Sequence, residues 1–387
     1  MTSESKDEDT EPFPWDLGVF DAHCHPTDTM ASIATIPHMK ARTLTVMSTR
    51  EEDQDLVDKV AFQLGSARII PCFGWHPWFA HRIQDDSGGA TSISKSEHYR
   101  RVLTGSTEDD EGFFQALPDP IPLSQLRSDT RKRLLQHPTA LVGEVGLDRA
   151  FRLPMTWKRH EIEARDPAVT PGSREGRPLS PYRVMIGHQK ALLKTQLQLA
   201  GELRRAVSVH SVQAHGAVLE VLGELWTGHE RKQETRRQRR RHSAERAHVD
   251  QDQDQDHVEK KKEGNGTSIP EEDVKPALPF PPRMCMHSYS GPAEPLKQFL
   301  RPTVPSDVYF SFSTVINFSK PSADRVVEVI KSLPDDRILV ETDLHCAGQQ
   351  MDDLLEAVVR TICQLRGWRL DEGIKQLADN YKRFVYG

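Results

Sequence analysis

The chain has 387 residues, sets 51 Lys and Arg against 57 Asp and Glu, and carries a formal net charge of −6. No global basic field recruits nucleic acid, although a local patch is still allowed. At 36% hydrophobic residues and 26 prolines, an ordinary core is expected to be diluted by polar insertions.

Residues 1–16 read as a disordered acidic lead, unlike a targeting peptide, to a single domain over 17–387. No apolar run approaches ~20 residues, so no membrane association is expected. Five cysteines without a CxxC pair point to reduced thiols and a cytoplasmic or nuclear setting. Residues 19–26 open the ordered chain: two apolar residues run into Asp21, then His23 and His25 follow at i, i+2. Strand side chains alternate, so both imidazoles should point one way as a pair of metal ligands. Two unrelated histidines at a polar strand end would read the same. A second strand is predicted over 43–48. A helix over 51–64 follows from the spacing of Leu56, Val57, Val60, Ala61 and Leu64, with Gly65 as its stop.

The third strand, 68–77, carries His76 near its end. Residues 84–120, rich in Ser, Gly, Asp and Thr, read as a surface insertion. A helix over 124–136 leads to a fourth strand, 140–148, that contains Glu144. After a second insertion over about 152–182, a helix over 188–203 precedes the fifth strand, 206–211, closing on His210. A further helix spans 217–226. The third insertion, 229–281, holds a basic run from Arg236 to Arg241, a Gln-Asp repeat at 251–256 and Lys260 to Lys262. So charge-blocked a stretch cannot offset its ordering entropy, and a disordered, solvated tether is expected over a nucleic-acid arm or nuclear address. The sixth strand, 283–288, closes on His287, the seventh spans 308–313, and the eighth, 337–343, ends on Asp343. Helices over 323–333, about 352–366 and 371–384 complete the chain.

Eight strands separated by helices, or by insertions where a helix fits, predict an α/β fold of the (β/α)8 TIM-barrel type; an open doubly wound sheet is the alternative. A barrel demands its functional groups at the C-terminal ends of its strands. His23, His25, His76, Glu144, His210, His287 and Asp343 all satisfy that demand. Four or more imidazoles with two carboxylates suit Zn, Mn or Co, with Mg less favoured. Two divalent ions bridged by a carboxylate would activate water between them. Glu144 is the natural bridge, and Asp343 can both ligate and take the proton of the water. No Lys closes the fourth strand, so a carbamylated bridge is not available there.

Taken in order, Asp21-Ala22-His23-Cys24-His25, Gly74-Trp75-His76-Pro77, Gly143-Glu144-Val145-Gly146-Leu147-Asp148, Val209-His210-Ser211, His287-Ser288-Tyr289-Ser290-Gly291 and Glu341-Thr342-Asp343 resemble the motifs of the TatD family. These are metal-dependent hydrolases among the amidohydrolase-like barrels. Asn380-Tyr381-Lys382-Arg383-Phe384 is similar to the family's C-terminal signature. The resemblance implies a deoxyribonuclease, commonly a 3′–5′ exonuclease, that acts on phosphodiester bonds of single-stranded DNA or 3′ ends. It implies that His23, His25, Glu144 and Asp343 hold one ion and that Glu144, His210 and His287 hold the second. His76 would lie near the substrate phosphate, the plainer reading being a strand-end residue packed by Trp75 and Trp78. Asp148 would support a loop or a ligand. The insertions and residues 343–348 look most like a fungal branch named for binding a tetratricopeptide subunit of the anaphase-promoting complex. A monomer with that partner is expected.

Three departures bear on substrate recognition. Val212 stands where the family usually has Arg, Leu344-His345-Cys346 replaces Pro-aromatic-Leu, and an Arg-Asn-x-Pro segment is absent. The metal chemistry therefore carries over more directly than the nuclease label. Hydrolysis of a small amide or ester, or an interaction role with a weak or vestigial site, are the alternatives.

Overall fold

The computed structural model describes residues 11–88, 93–105, 110–172, 174–232, 276–318 and 323–387. Eight parallel strands stand side by side in chain order: β1 (Phe20–Cys24), β2 (Thr43–Met47), β3 (Ile69–Phe73), β4 (Leu141–Asp148), β5 (Val207–Val212), β6 (Arg283–Met286), β7 (Asp307–Phe312) and β8 (Ile338–Val340). A doubly wound sheet would reverse its strand order at a switch point, and this one does not. The seam between β8 and β1 is closed by the Asp343 N–H, which donates to the His23 carbonyl at 2.9 Å. Asp21 fastens the same seam, accepting from the Thr342 N–H at 3.1 Å and the Thr342 hydroxyl at 2.5 Å. The (β/α)8 barrel expected from the strand rhythm is the fold observed.

The barrel strands are almost wholly buried, as parallel strands covered on both faces must be. Outside them, helices such as Glu51–Leu64, Ile186–Glu202, His215–Trp226 and Gln349–Arg366 lay apolar stripes on the sheet. The final helix, Leu370–Tyr386, closes the barrel where its strands begin. Tyr381 stacks on Phe20 at 4.6 Å, and its hydroxyl meets Thr45 Oγ1 at 2.8 Å. That end is thereby plugged, and the opposite end is left for chemistry.

Several strands stop earlier than the sequence suggests, β1 at Cys24 among them. β3, β6 and β8 end at Phe73, Met286 and Val340, so His76, His287 and Asp343 stand in the loops that follow. The stretch 84–120 is more than a surface loop. It contains the helices Lys95–Val102 and Glu111–Ala116, whose Tyr99 and Phe114 are fully buried against Leu153, Tyr182 and Val184. Its periodicity is weak because each helix offers few apolar residues, and their partners come from the second insertion, far along the chain. Residues 11–16 carry Phe13 and Trp15, which pack edge-to-face at 4.6 Å under Arg360 and Lys40. The remainder of the acidic lead, and 233–275 of the third insertion, lie outside the described residues. Among the described residues no helix is long and apolar enough to cross a membrane.

Candidate metal centre

Two β-bulges set the centre. From Asp21↔Leu44 to Cys24↔Val46, β1 advances three residues against two of β2. β4 does the same against β5 between Val142↔Val207 and Val145↔Val209. An extra residue of this kind re-aims the side chains beside it, here His23 and Glu144. Simple alternation therefore does not describe β1, which ends at Cys24 and leaves His25 outside the strand at φ −124°, ψ 43°. The two histidines nevertheless converge, Nε2 to Nε2, at 3.1 Å. On β4, Gly146 has φ +153°, and a Cβ there would fall 2.0 Å from the His210 carbonyl oxygen. Only glycine lets β5 come this close. β4 runs on through both Glu144 and Asp148, with no turn at Gly146.

The six residues expected to ligate metal meet at one end of the barrel, all of them buried or nearly so. Each Nε2 of His23 and His25 lies 3.3 Å from Glu144 Oε2. Asp343 Oδ1 is 3.7 Å from His23 and 3.3 Å from His25. The other oxygen of Glu144, Oε1, is 2.8 Å from His210 Nδ1, 2.9 Å from His287 Nε2 and 3.1 Å from His76 Nε2. His210 Nδ1 and His287 Nε2 are 3.2 Å apart. A tetrahedral ion whose ligands stand at about 2.0–2.1 Å spaces them about 3.3–3.4 Å from each other. The donor set around Oε2 fits that spacing, and the set around Oε1 is only slightly tighter. His23, His25 and Asp343 form one group of metal-compatible atoms, His23, Glu144 and His287 a second, and His76, Glu144 and His210 a third.

Charge is balanced within the cluster. Burial would raise the Glu144 carboxyl, but the surrounding His76, His287, His23 and His210 outweigh it and hold the group well below the usual carboxylate range. Burial likewise opposes ionised Asp343, which His25, His287 and His23 keep low. Desolvation works against charge on His25, yet the Asp343 and Glu144 carboxylates push its pKa up to about 10. His287 is raised in the same way, against burial, by Glu144 and Glu341, and His210 by Asp148 and Glu144. Burial carries His76 the other way, down to about 4. Its Nδ1 accepts the Trp78 backbone N–H at 3.1 Å, which puts the proton of the neutral ring on Nε2, facing Glu144. In that tautomer His76 is a donor to the cluster rather than a ligand.

A deeper set of polar residues holds the candidate ligands. Ser208 Oγ meets His23 Nδ1 at 2.8 Å. Glu341, fully buried, accepts from the Ser288 and Ser311 hydroxyls and stands 3.4 Å from His287 Nδ1. Asp148 Oδ2 lies 3.2 Å from His210 Nε2 and takes the Trp78 indole N–H at 2.6 Å, while Oδ1 accepts from the N–H groups of Ala150 and Phe151. It thus supports both a loop and a histidine. At the rim, the replacement residue His345 stacks over His25 at 5.1 Å and binds Asp28 Oδ2 at 2.7 Å. Asp28 Oδ1 in turn takes Arg50, whose Nε holds the Pro171 carbonyl of the second insertion at 2.8 Å. Sequence reasoning missed the supporting roles of Ser208 and Glu341 and this rim clamp.

A model of the family described as TatD-related DNase matches residues 20–386. The chain is 34% identical over 370 residues to the Cut9-interacting protein scn1 of Schizosaccharomyces pombe, covering 95% of this chain and 98% of that one. It is 27% identical over 331 residues to an uncharacterized deoxyribonuclease of Saccharomyces cerevisiae, with 84% and 82% covered. Among solved structures, the TatD homologue YJJV of Escherichia coli superposes with a TM-score of 0.51 at 17% identity, over 95% of this chain and 98% of that one. An uncharacterized amidohydrolase from Saccharomyces cerevisiae gives 0.53 at 13%, over 96% and 100%.

Proposed function

The chain belongs to the family of TatD-related DNases, a barrel of the metal-dependent hydrolase type, and from that premise we propose that it hydrolyses phosphodiester bonds at the ends of single-stranded DNA with two divalent ions. The observation that carries this reading is the division of Glu144. One carboxylate oxygen faces His23 and His25, and the other faces His210 and His287. His23, His25, Asp343 and Glu144 would hold one ion, and Glu144, His210 and His287 the other; Zn, Mn or Co suits these donors, with Mg the weaker fit. Ions held there would polarise a phosphoryl oxygen and lower the pKa of water.

The remaining steps fall to the protein. Asp343, the most exposed carboxylate of the cluster at 17% of its side chain, would take the proton of the attacking water. His76, neutral with its proton on Nε2, would donate to a phosphoryl oxygen. Ser208, Glu341 and Asp148 fix the ring orientations on which this geometry depends. The test is elemental analysis of the purified protein with a nuclease assay on single-stranded DNA, with Mn or Mg added and with Glu144→Gln as control. Protein that binds metal stoichiometrically but cuts no DNA would refute the assignment.

A second reading has one observation in its favour. The relative at 34% identity is named for interacting with Cut9, which supports a protein-binding role beside the chemistry, in line with a tetratricopeptide partner of the anaphase-promoting complex. Pull-down of that subunit by wild type and by Glu144→Gln alike would place binding apart from the active site.

A further inference from the structure

We propose that Trp78 and Phe151 form a stacking shelf for the terminal nucleobase of the substrate strand. The inference rests on the phosphodiesterase reading and adds a recognition element to it. Trp78 sits in the 3-10 turn Pro77–Arg82 that follows His76. Its indole lies parallel to Phe151, centroids 4.7 Å apart and planes 11° from coplanar. It stands edge-on to His76 at 4.8 Å and 6.0 Å from the His210 ring. The indole N–H is tied to Asp148 Oδ2, the same oxygen that contacts His210. Despite these tethers Trp78 is 38% exposed, whereas Trp75 and Trp226 are each 6% exposed.

A donor to Asp148 requires only an N–H, so supporting that carboxylate does not explain a large exposed ring. The shelf is also rigid. Stack, indole hydrogen bond and the backbone bond to His76 fix its plane before anything binds, so little entropy is lost on docking. It lies within one nucleotide of the carboxylate and imidazoles that would handle the scissile phosphate. A flat π-face of this kind is what single-strand binders offer to bases of any sequence. It also supplies a contact at a mouth where Val212 stands in place of the usual family Arg.

The experiment uses metal-loaded full-length protein and three single-stranded oligonucleotides: intact, abasic at the 3′ terminal residue, and abasic at the 5′ terminal residue. Wild type should show KM raised roughly ten- to hundred-fold for one abasic strand, the range for losing one stacked base, with kcat changed much less. Trp78→Ala should raise KM on the intact strand by a similar factor and erase the preference, and Trp78→Phe should keep most of it. Equal losses on intact and abasic strands in Trp78→Ala would overturn the shelf, since a loosened Asp148 would do just that. Wild type that cuts all three strands equally well overturns the shelf alone and needs no variant. Wild type that neither binds nor cuts any strand overturns the phosphodiesterase reading and the shelf together.

Discussion

Glu144→Gln keeps the shape of the side chain and removes the one charge shared by both halves of the centre. Five imidazole nitrogens, those of His23, His25, His76, His210 and His287, lie within 3.3 Å of its two oxygens. An amide can accept at one atom only, and its NH2 would face nitrogens on the other side. Breaking a buried charge constellation by removing one partner costs about 3–5 kcal/mol of stability, and loss of a shared carboxylate ligand should lower metal affinity by more than the roughly 10–100-fold typical of a supporting residue. Both ions should weaken together, because both would share this carboxylate. The assay is metal content after dialysis against a fixed free-metal buffer, measured with single-turnover hydrolysis of single-stranded DNA. Loss of one ion with the other retained at wild-type affinity would refute the bridging role, and near-normal turnover with full loading would refute the two-ion centre altogether.

Asp148→Asn touches His210 only from behind and should cost on the order of 10–100-fold in activity or metal affinity, less than Glu144→Gln; the reverse order would show that Asp148 is itself a ligand. Metal titration into metal-free protein at pH 7 should release protons, because His25 and His287 are held protonated there and ligation needs them neutral. Calorimetry in buffers of different ionisation enthalpy reads this directly, and affinity should fall as the pH is lowered. Replacing 233–275 by a short Gly-Ser linker should leave the melting temperature nearly unchanged, since closure entropy changes by only about 0.6 kcal/mol per doubling of loop length; a large drop would show that the segment packs. In the small core built by the insertions, burial pushes His81 down to about 3 and His98 down to about 4. An unfolded imidazole titrates near 6.5, so the unfolded state binds protons that the folded state rejects. Stability from these residues is present above about pH 6.5 and is lost as pH falls towards 3–4, on the order of 3–5 kcal/mol each at about 1.36 kcal/mol per pKa unit. Hydrogen exchange at pH 4.5 should therefore show the helices Lys95–Val102 and Glu111–Ala116 opening before the barrel strands.

The barrel was legible because eight buried strands leave eight short apolar runs, and a parallel sheet needs little else to declare itself. The helices inside 84–120 were not, since Tyr99 and Phe114 find their partners at Leu153, Tyr182 and Val184. A contact between distant insertions leaves no local period to read. The bulges in β1 and β4 are equally silent in sequence. They matter, because they rather than plain alternation aim His23 and Glu144 at each other.

The residues behind the ligands were closer to legible than they looked. Asp21, Ser208 and Glu341 each stand two positions before a candidate ligand, at His23, His210 and Asp343. Within a regular strand, as from His210 back to Ser208 in β5, two residues back is one layer deeper on the same inward face. Asp21 precedes the bulge of β1 and Glu341 follows the end of β8, and both are buried as deeply. All three are buried to within 1%, and each makes the polar contact that such depth requires: Asp21 with Thr342 across the seam, Ser208 with His23, Glu341 with Ser288 and Ser311. A polar residue two places before a strand-end ligand has no water to satisfy it. It must bond to the seam or to a ligand, and so it sets the ligand's orientation. The pattern extends one layer of the barrel downward from the chemistry, and it identifies Glu341→Gln as a change that should disturb His287 without removing any ligand.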